Sequence, residues 1–145
     1  MEVSEKGRAL IKRWESLRLV AYEDSGKVWT IGYGSIKGVH EGMRITTDQA
    51  EALFLRDLQE TERGLNLILT NQVNQNQFDA LACWSFNVGI KAAKQSTLIK
   101  YLNLGEIKEA AGEFLRWNKI TVGGKKVVMH GLTMRRACER DLFLT

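Results

Sequence analysis

Three side chains in the first thirty residues have the types and spacing for acid–base chemistry. Glu15, Asp24 and Thr30 are separated by eight and by five residues. Glu15 ends a stretch in which Leu10, Ile11, Trp14 and Leu17 recur at helical spacing, so a first helix is predicted from Ser4, its N-cap, to about Ser16. At the C-terminal end of that helix the dipole presents its negative pole, and Trp14 and Leu17 limit hydration. Both effects favour the protonated carboxyl, which suits a general acid. Asp24 opens the turn Asp24-Ser25-Gly26-Lys27 between two short strands, where water and backbone N–H groups would keep it ionised. Thr30 falls in the second strand, where its hydroxyl could orient a water together with Asp24. Two carboxyls in contrasting environments are what cleavage of an acetal linkage between sugars requires. On these residues alone, a surface ion pair at Glu15 and a purely turn-forming Asp24 explain the pattern at least as readily.

The elements that must position them read as α+β. After the first helix come the strands Leu19–Tyr22 and Val28–Tyr33, then glycines at 32, 34, 38 and 42 that divide the chain into tight loops. A sheet of two or three strands is too small to stand alone. From Thr46 the pattern turns helical. Thr46 with Gln49 forms a capping box, and Ala50, Leu53, Phe54, Leu58 and Leu65 continue an apolar stripe over roughly 20 residues, about 30 Å of helix. Asn74 with Gln77 opens a central helix closed by Gly89, Ser96 caps a short one, and Glu106 to about Trp117 forms another. Thr121–Gly131 reads as a loop holding Gly123-Gly124-Lys125-Lys126, and a last helix is predicted from Leu132 to Leu142.

Composition narrows the function. The chain has 145 residues, 44% hydrophobic and 26% charged, with no proline, which describes one ordinary globular domain. No apolar run approaches a membrane span, and the polar start Met1–Lys6 lacks the core of a secretion signal. A cytoplasmic origin is therefore expected, with Cys83 and Cys138 as thiols. His40 and His130 stand far apart and no Cys-x-x-Cys or HExxH is present, so neither a metal site nor a cofactor is expected. No serine or cysteine nucleophile shows a partner signature. The net charge of +4 is uneven: residues 1–73 carry 10 Lys/Arg against 11 Asp/Glu, residues 74–145 carry 11 against 6. The basic half suits a polyanionic partner, or simply a solvated surface.

The words around the three residues resemble the phage-type lysozymes, the endolysins of glycoside hydrolase family 24. The spacing of Glu15, Asp24 and Thr30 is similar to the family's catalytic spacing. Thr30-Ile31-Gly32-Tyr33-Gly34 resembles its strand after the catalytic turn, and Gly42-Met43-Arg44-Ile45-Thr46 its lead into the long helix. Asn74–Leu81, Phe86-Asn87-Val88-Gly89, Ser96-Thr97-Leu98, Ala110–Phe114 and Gly131–Arg140 extend the likeness over nearly the whole chain.

That resemblance implies a single lysozyme-like domain: a small β lobe at about 16–46, a connecting helix at about 46–70, and a helical lobe of about 74–145 with helix 4–16. It implies hydrolysis of the β-1,4 bond between N-acetylmuramic acid and N-acetylglucosamine, with inversion at the anomeric carbon. Glu15 would be the acid, Asp24 the activator of water, Thr30 its holder, and Ile36, Phe86 and Thr97 would line the glycan site. The partners implied are peptidoglycan strands and a separate holin, for a monomer without nucleic acid or a stable membrane anchor. The enzyme would wait in the host bacterial cytoplasm and reach the periplasm and wall at lysis. Two departures stand out. Ser35 replaces a frequent histidine, putting a local stabilising pair in doubt, and His130 replaces a frequent proline, predicting a less rigid loop.

Three other functions compete. A lytic transglycosylase would need no water-activating Asp24, a wall-binding module would need none of the three residues, and a nucleic-acid binder rests on charge alone. Arg135 and Arg136 with Glu139 fit either an ion-pair network pinning the last helix or contacts to the glycan's carboxylates, the former being favoured. Lys119, Lys125 and Lys126 are the better candidates for attracting an anionic wall.

Overall fold

The fold, a computed structural model, describes all residues from 1 to 145. In chain order it comprises α1 (Glu5–Glu15), β1 (Arg18–Glu23), β2 (Trp29–Gly32), α2 (Thr47–Ile68), α3 (Gln75–Val88), α4 (Ile90–Lys94), α5 (Thr97–Asn103), α6 (Ile107–Glu113), a 3₁₀ turn (Phe114–Trp117), β3 (Lys119–Val122), β4 (Lys125–Val128) and α7 (His130–Phe143). It is the α+β fold expected. Two compact units emerge, one of Ala9–Glu60 and one of Met1–Arg8 with Thr61–Thr145.

In the unit Ala9–Glu60, β1 and β2 are antiparallel, with Arg18 opposite Gly32, Tyr22 opposite Thr30 and Glu23 opposite Trp29. The register shifts between Arg18 and Tyr22, because that part of β1 turns to a different partner. Ala21 N donates to Met43 O at 2.9 Å and Ile45 N to Leu19 O at 3.0 Å, so the bulged segment is paired on its other edge. Ile11, Ile31, Ala50, Phe54 and Leu58 form the buried apolar centre. The Thr46–Gln49 capping box is present, each backbone N–H reaching the other side chain, at 2.8 and 3.1 Å.

In the other unit α3 is buried from Phe78 through Ser85, eight consecutive residues, as a helix surrounded by others must be. The Asn74–Gln77 capping box starts it. Trp84 meets Phe114 and Trp117 edge-on at centroid distances of 6.0 and 5.6 Å, and Phe114 meets Phe143 at 5.4 Å.

Four expectations need correction. The residues after Gly89 form the short helix α4 before the Ser96 cap, and the helix expected to reach Trp117 tightens into 3₁₀ geometry from Phe114. The segment Thr121–Gly131 is not a loop: β3 and β4 pair with Val122 opposite Lys125 and Lys119 opposite Val128. Gly123 and Gly124, at φ of 56° and 80°, make the two-residue connection, whose primed geometry needs left-handed backbone at both positions. His130 then begins α7 directly, two residues earlier than expected.

Arg135, Arg136 and Glu139 lie on α7 and are at most 4% exposed. Arg136 Nη1 donates to both carboxylate oxygens of Glu139, at 2.6 and 3.1 Å, and Arg135 Nε donates to Oε2 at 3.3 Å. Other guanidinium donors reach the carbonyls of Cys83 and Trp117, each at 2.9 Å, and the Asn87 side chain. These residues therefore pin α7 against α3 and the 3₁₀ turn. Burial pushes the pKa of the Glu139 carboxyl up, opposed by the two arginines, and pushes the Cys83 thiol well up, with the Glu139 carboxylate adding to it.

Candidate active site

Glu15 is the last residue of α1. Ser16 follows with φ 61°, its N–H donating to Lys12 O at 3.0 Å, and this left-handed residue stops the helix and turns the chain toward β1. Contacts of Lys12 then tie the end of α1 to α2 and to the turn after β2. Lys12 Nζ pairs with Glu51 Oε2 of α2 at 2.5 Å and sits 5.4 and 5.1 Å from the ring centroids of Tyr33 and Phe54. Those rings meet edge-on at 5.4 Å, so the turn after β2 is stitched to both helices. Gly34, in that turn, lies so close that a Cβ there would be 3.0 Å from Glu15 Oε2. Its φ of +88° also suits glycine. Oε1 of Glu15 is screened from solvent.

Ser35 holds the turn from its other side. Ile31 and Ser35 exchange two backbone hydrogen bonds of 2.9 Å, and Ser35 Oγ donates to Asp57 Oδ2 at 2.6 Å. Asp57 Oδ1 accepts from Arg56 Nε and Nη2 at 3.2 and 3.0 Å. The doubt about a stabilising pair at Ser35 is thereby answered: the serine is buried and makes one. Neither Gly34 nor the Ser35–Asp57 bond stood out among the candidate residues. The glycine-rich strand motif pointed to the former, whereas nothing local marks Asp57, 22 residues along the chain.

Asp24 sits at the opposite end of the same two strands, exposed, where β1 gives way to the turn. Its Oδ1 accepts from Gly26 N and Val28 N, both at 2.9 Å, and its backbone N–H donates to Val28 O at 3.0 Å. Oδ2 takes part in none of these bonds. Thr30 is 4% exposed and its hydroxyl donates to Val28 O at 2.9 Å, which leaves its oxygen lone pairs as acceptors. Glu15, Asp24 and Thr30 thus share one unit, with Asp24 and Thr30 on the β1–β2 hairpin and Glu15 at the end of α1. Ile36 belongs to the same unit and is 55% exposed. Phe86, half-buried on α3, and Thr97, exposed at the start of α5, belong to the other unit. No group of three His, Cys, Asp or Glu side chains gathers to hold a metal ion.

Comparison with known proteins matches the model of the phage lysozyme family over residues 12–139. The chain is 43% identical to an endolysin of Acyrthosiphon pisum secondary endosymbiont phage 1, covering 99% of this chain and 98% of that one. It is 47% identical to the endolysin of Bacillus phage B103 over its full length, but spans only 55% of that relative. Among solved structures, the endolysin of Escherichia coli O157:H7 phage FAHEc1 superposes with a TM-score of 0.92 at 43% identity, covering 99% of this chain and 94% of that one. A carboxyl screened against a glycine turn, and a second one held at the far end of the same strands, therefore occur in a chain that belongs to the phage lysozyme family, the peptidoglycan-hydrolysing glycoside hydrolases of phage endolysins.

Proposed function

We propose that this enzyme cleaves the β-1,4 bond between N-acetylmuramic acid and N-acetylglucosamine with Glu15 as general acid and Asp24 as general base. The observation that carries the reading is the contrast between two carboxyls of one unit, one screened beside Gly34 and one exposed with an oxygen to spare. Glu15 gives its proton to the bridging oxygen as the C1–O bond breaks, and positive charge develops on the sugar ring. Asp24 Oδ2 takes a proton from a water whose oxygen bonds to C1 from the opposite face. Thr30 Oγ1, its own hydrogen committed to Val28 O, accepts the water's other hydrogen and fixes its direction. Attack from the opposite face inverts the anomeric centre and calls for carboxyls roughly 6.5–9.5 Å apart. Proton exchange with solvent resets both groups.

Ile36, Phe86 and Thr97 line the glycan site in this proposal, and the chain acts as one monomeric lysozyme domain. It is stored in the host cytoplasm and depends on a separate holin to reach the wall. Purified peptidoglycan digested with the enzyme should yield muramic acid reducing ends, with the first-formed anomer opposite to the substrate's by NMR. Glu15→Gln should abolish clearing of wall suspensions while the protein stays folded. Asp24→Asn keeps an oxygen for Gly26 N and Val28 N, so a heavy loss there reports on the charge rather than the turn; Thr30→Ala should impair turnover. Anhydro-muramic ends would identify a transglycosylase, and wild-type turnover by Glu15→Gln would overturn the assignment.

A further inference from the structure

The β3–β4 hairpin joins two surface properties, exposed aliphatic side chains and lysines without an ion-pair partner. Antiparallel register places Ile120, Val122 and Val127 on one face with Lys125, and Lys119, Thr121, Lys126 and Val128 on the other. All eight residues but Ile120 are exposed, and Val122, Val127, Val128 and the following Met129 are 55%, 41%, 56% and 40% accessible. From Asn118 to Cys138 there is no carboxylate, and none of the three lysines forms an ion pair. The arginines of that stretch, Arg135 and Arg136, are buried and already paired with Glu139.

Lysines alone would be explained as protection of exposed strand edges. They do not explain why aliphatic side chains stand in water beside them, because an edge needs no exposed valines and a solubilising surface is better without them. The hairpin also carries no aromatic ring, the group on which sugars and unpaired bases stack. Aliphatic side chains rimmed by lysines match instead the boundary of an anionic bilayer, where apolar groups enter the acyl region and ammonium groups stay at the phosphates.

We propose that the β3–β4 hairpin docks the protein onto anionic phospholipid bilayers, with Ile120, Val122 and Val127 in the acyl boundary and Lys119, Lys125 and Lys126 at the headgroups. Each lysine near the surface adds about fivefold to the affinity for anionic lipid. The protein lies on the membrane and does not cross it, since no helix is long and apolar enough to do so.

The test is sedimentation with large unilamellar vesicles of pure phosphatidylcholine, or of phosphatidylcholine with an equal part of phosphatidylglycerol, at about 0.15 M salt. The full chain should pellet with the anionic vesicles and not with the neutral ones. Val122→Ser with Val127→Ser should weaken binding about tenfold, and Val122→Leu with Val127→Leu should strengthen it, so that a hairpin disturbed by serine still leaves a decisive variant. Activity on soluble peptidoglycan fragments should stay unchanged in both valine variants. Absence of binding to anionic vesicles overturns the proposal. So does binding that ignores the valines and equals that to a soluble polyanion such as heparin, which would reduce the hairpin to a patch of charge.

Discussion

Gly34→Ala separates the placement of the acid from the stability of the fold. Alanine at φ +88° carries a backbone penalty of about 1–2 kcal/mol, whatever space surrounds it. Its methyl group would also stand 3.0 Å from Glu15 Oε2, where ordinary contact begins at 3.4 Å. The carboxyl, screened on its other oxygen and anchored to a helix that Lys12 ties to Glu51, must then shift by several tenths of an ångström or change rotamer. A displacement of about 1 Å at a reacting group costs up to about a hundredfold in rate, so kcat should fall at least about tenfold with KM little changed. Gly42→Ala supplies the control: its φ is +82° and a Cβ there meets nothing within 4 Å beyond its chain neighbours, so it carries the same backbone penalty without crowding Glu15. Both variants should lose comparable stability in urea melts, and only Gly34→Ala should lose turnover on soluble peptidoglycan fragments. Equal activity losses in the two, or full activity in Gly34→Ala, would refute the reasoning that Gly34 positions the acid.

Glu139→Ala should destabilise the protein by about 3–5 kcal/mol in urea melts, because it leaves the guanidinium groups of Arg135 and Arg136 buried without their carboxylate; a loss under about 1 kcal/mol would show that solvent reaches the cluster. The Cys83 thiol, pushed well up by burial, should stay unreactive toward a thiol-specific disulfide reagent at pH 8 until denaturant unfolds α3. Modification of Cys83 ahead of unfolding, located by peptide mapping, contradicts that burial.

What could be read from the chain follows the range of the interactions involved. The capping boxes at Thr46–Gln49 and Asn74–Gln77 and the Ser96 cap are hydrogen bonds between residues three apart, so a short window contains the whole cause. The β3–β4 hairpin was equally local, with Val122-Gly123-Gly124-Lys125 as its turn. Its second strand, Lys125-Lys126-Val127-Val128, lacks the polar–apolar alternation of a half-buried strand, so the segment reads as a loop; a ribbon exposed on both faces does not need that alternation. The i,i+3 and i,i+4 pairs of Glu139 were legible on α7, but their burial was not. It depends on carbonyls at Trp117 and Cys83, 19 and 52 residues away.

The site divides along the same line. Spacing marked Glu15, Asp24 and Thr30, and the turn around Asp24 is closed by its own neighbours Gly26 and Val28. Glu15 draws on residues distant in the chain. Its carboxyl is placed by Gly34 and by the helix that Lys12 ties to Glu51, 39 residues on, while Ser35 fastens the turn to Asp57. Local unfolding of α2 would therefore leave the Asp24 turn intact and release the acid from its screen, so the two carboxyls should fail separately. A chain can keep all three residues of the spacing and still be inactive, because the geometry that distinguishes a proton donor from a surface glutamate resides in contacts made across the unit.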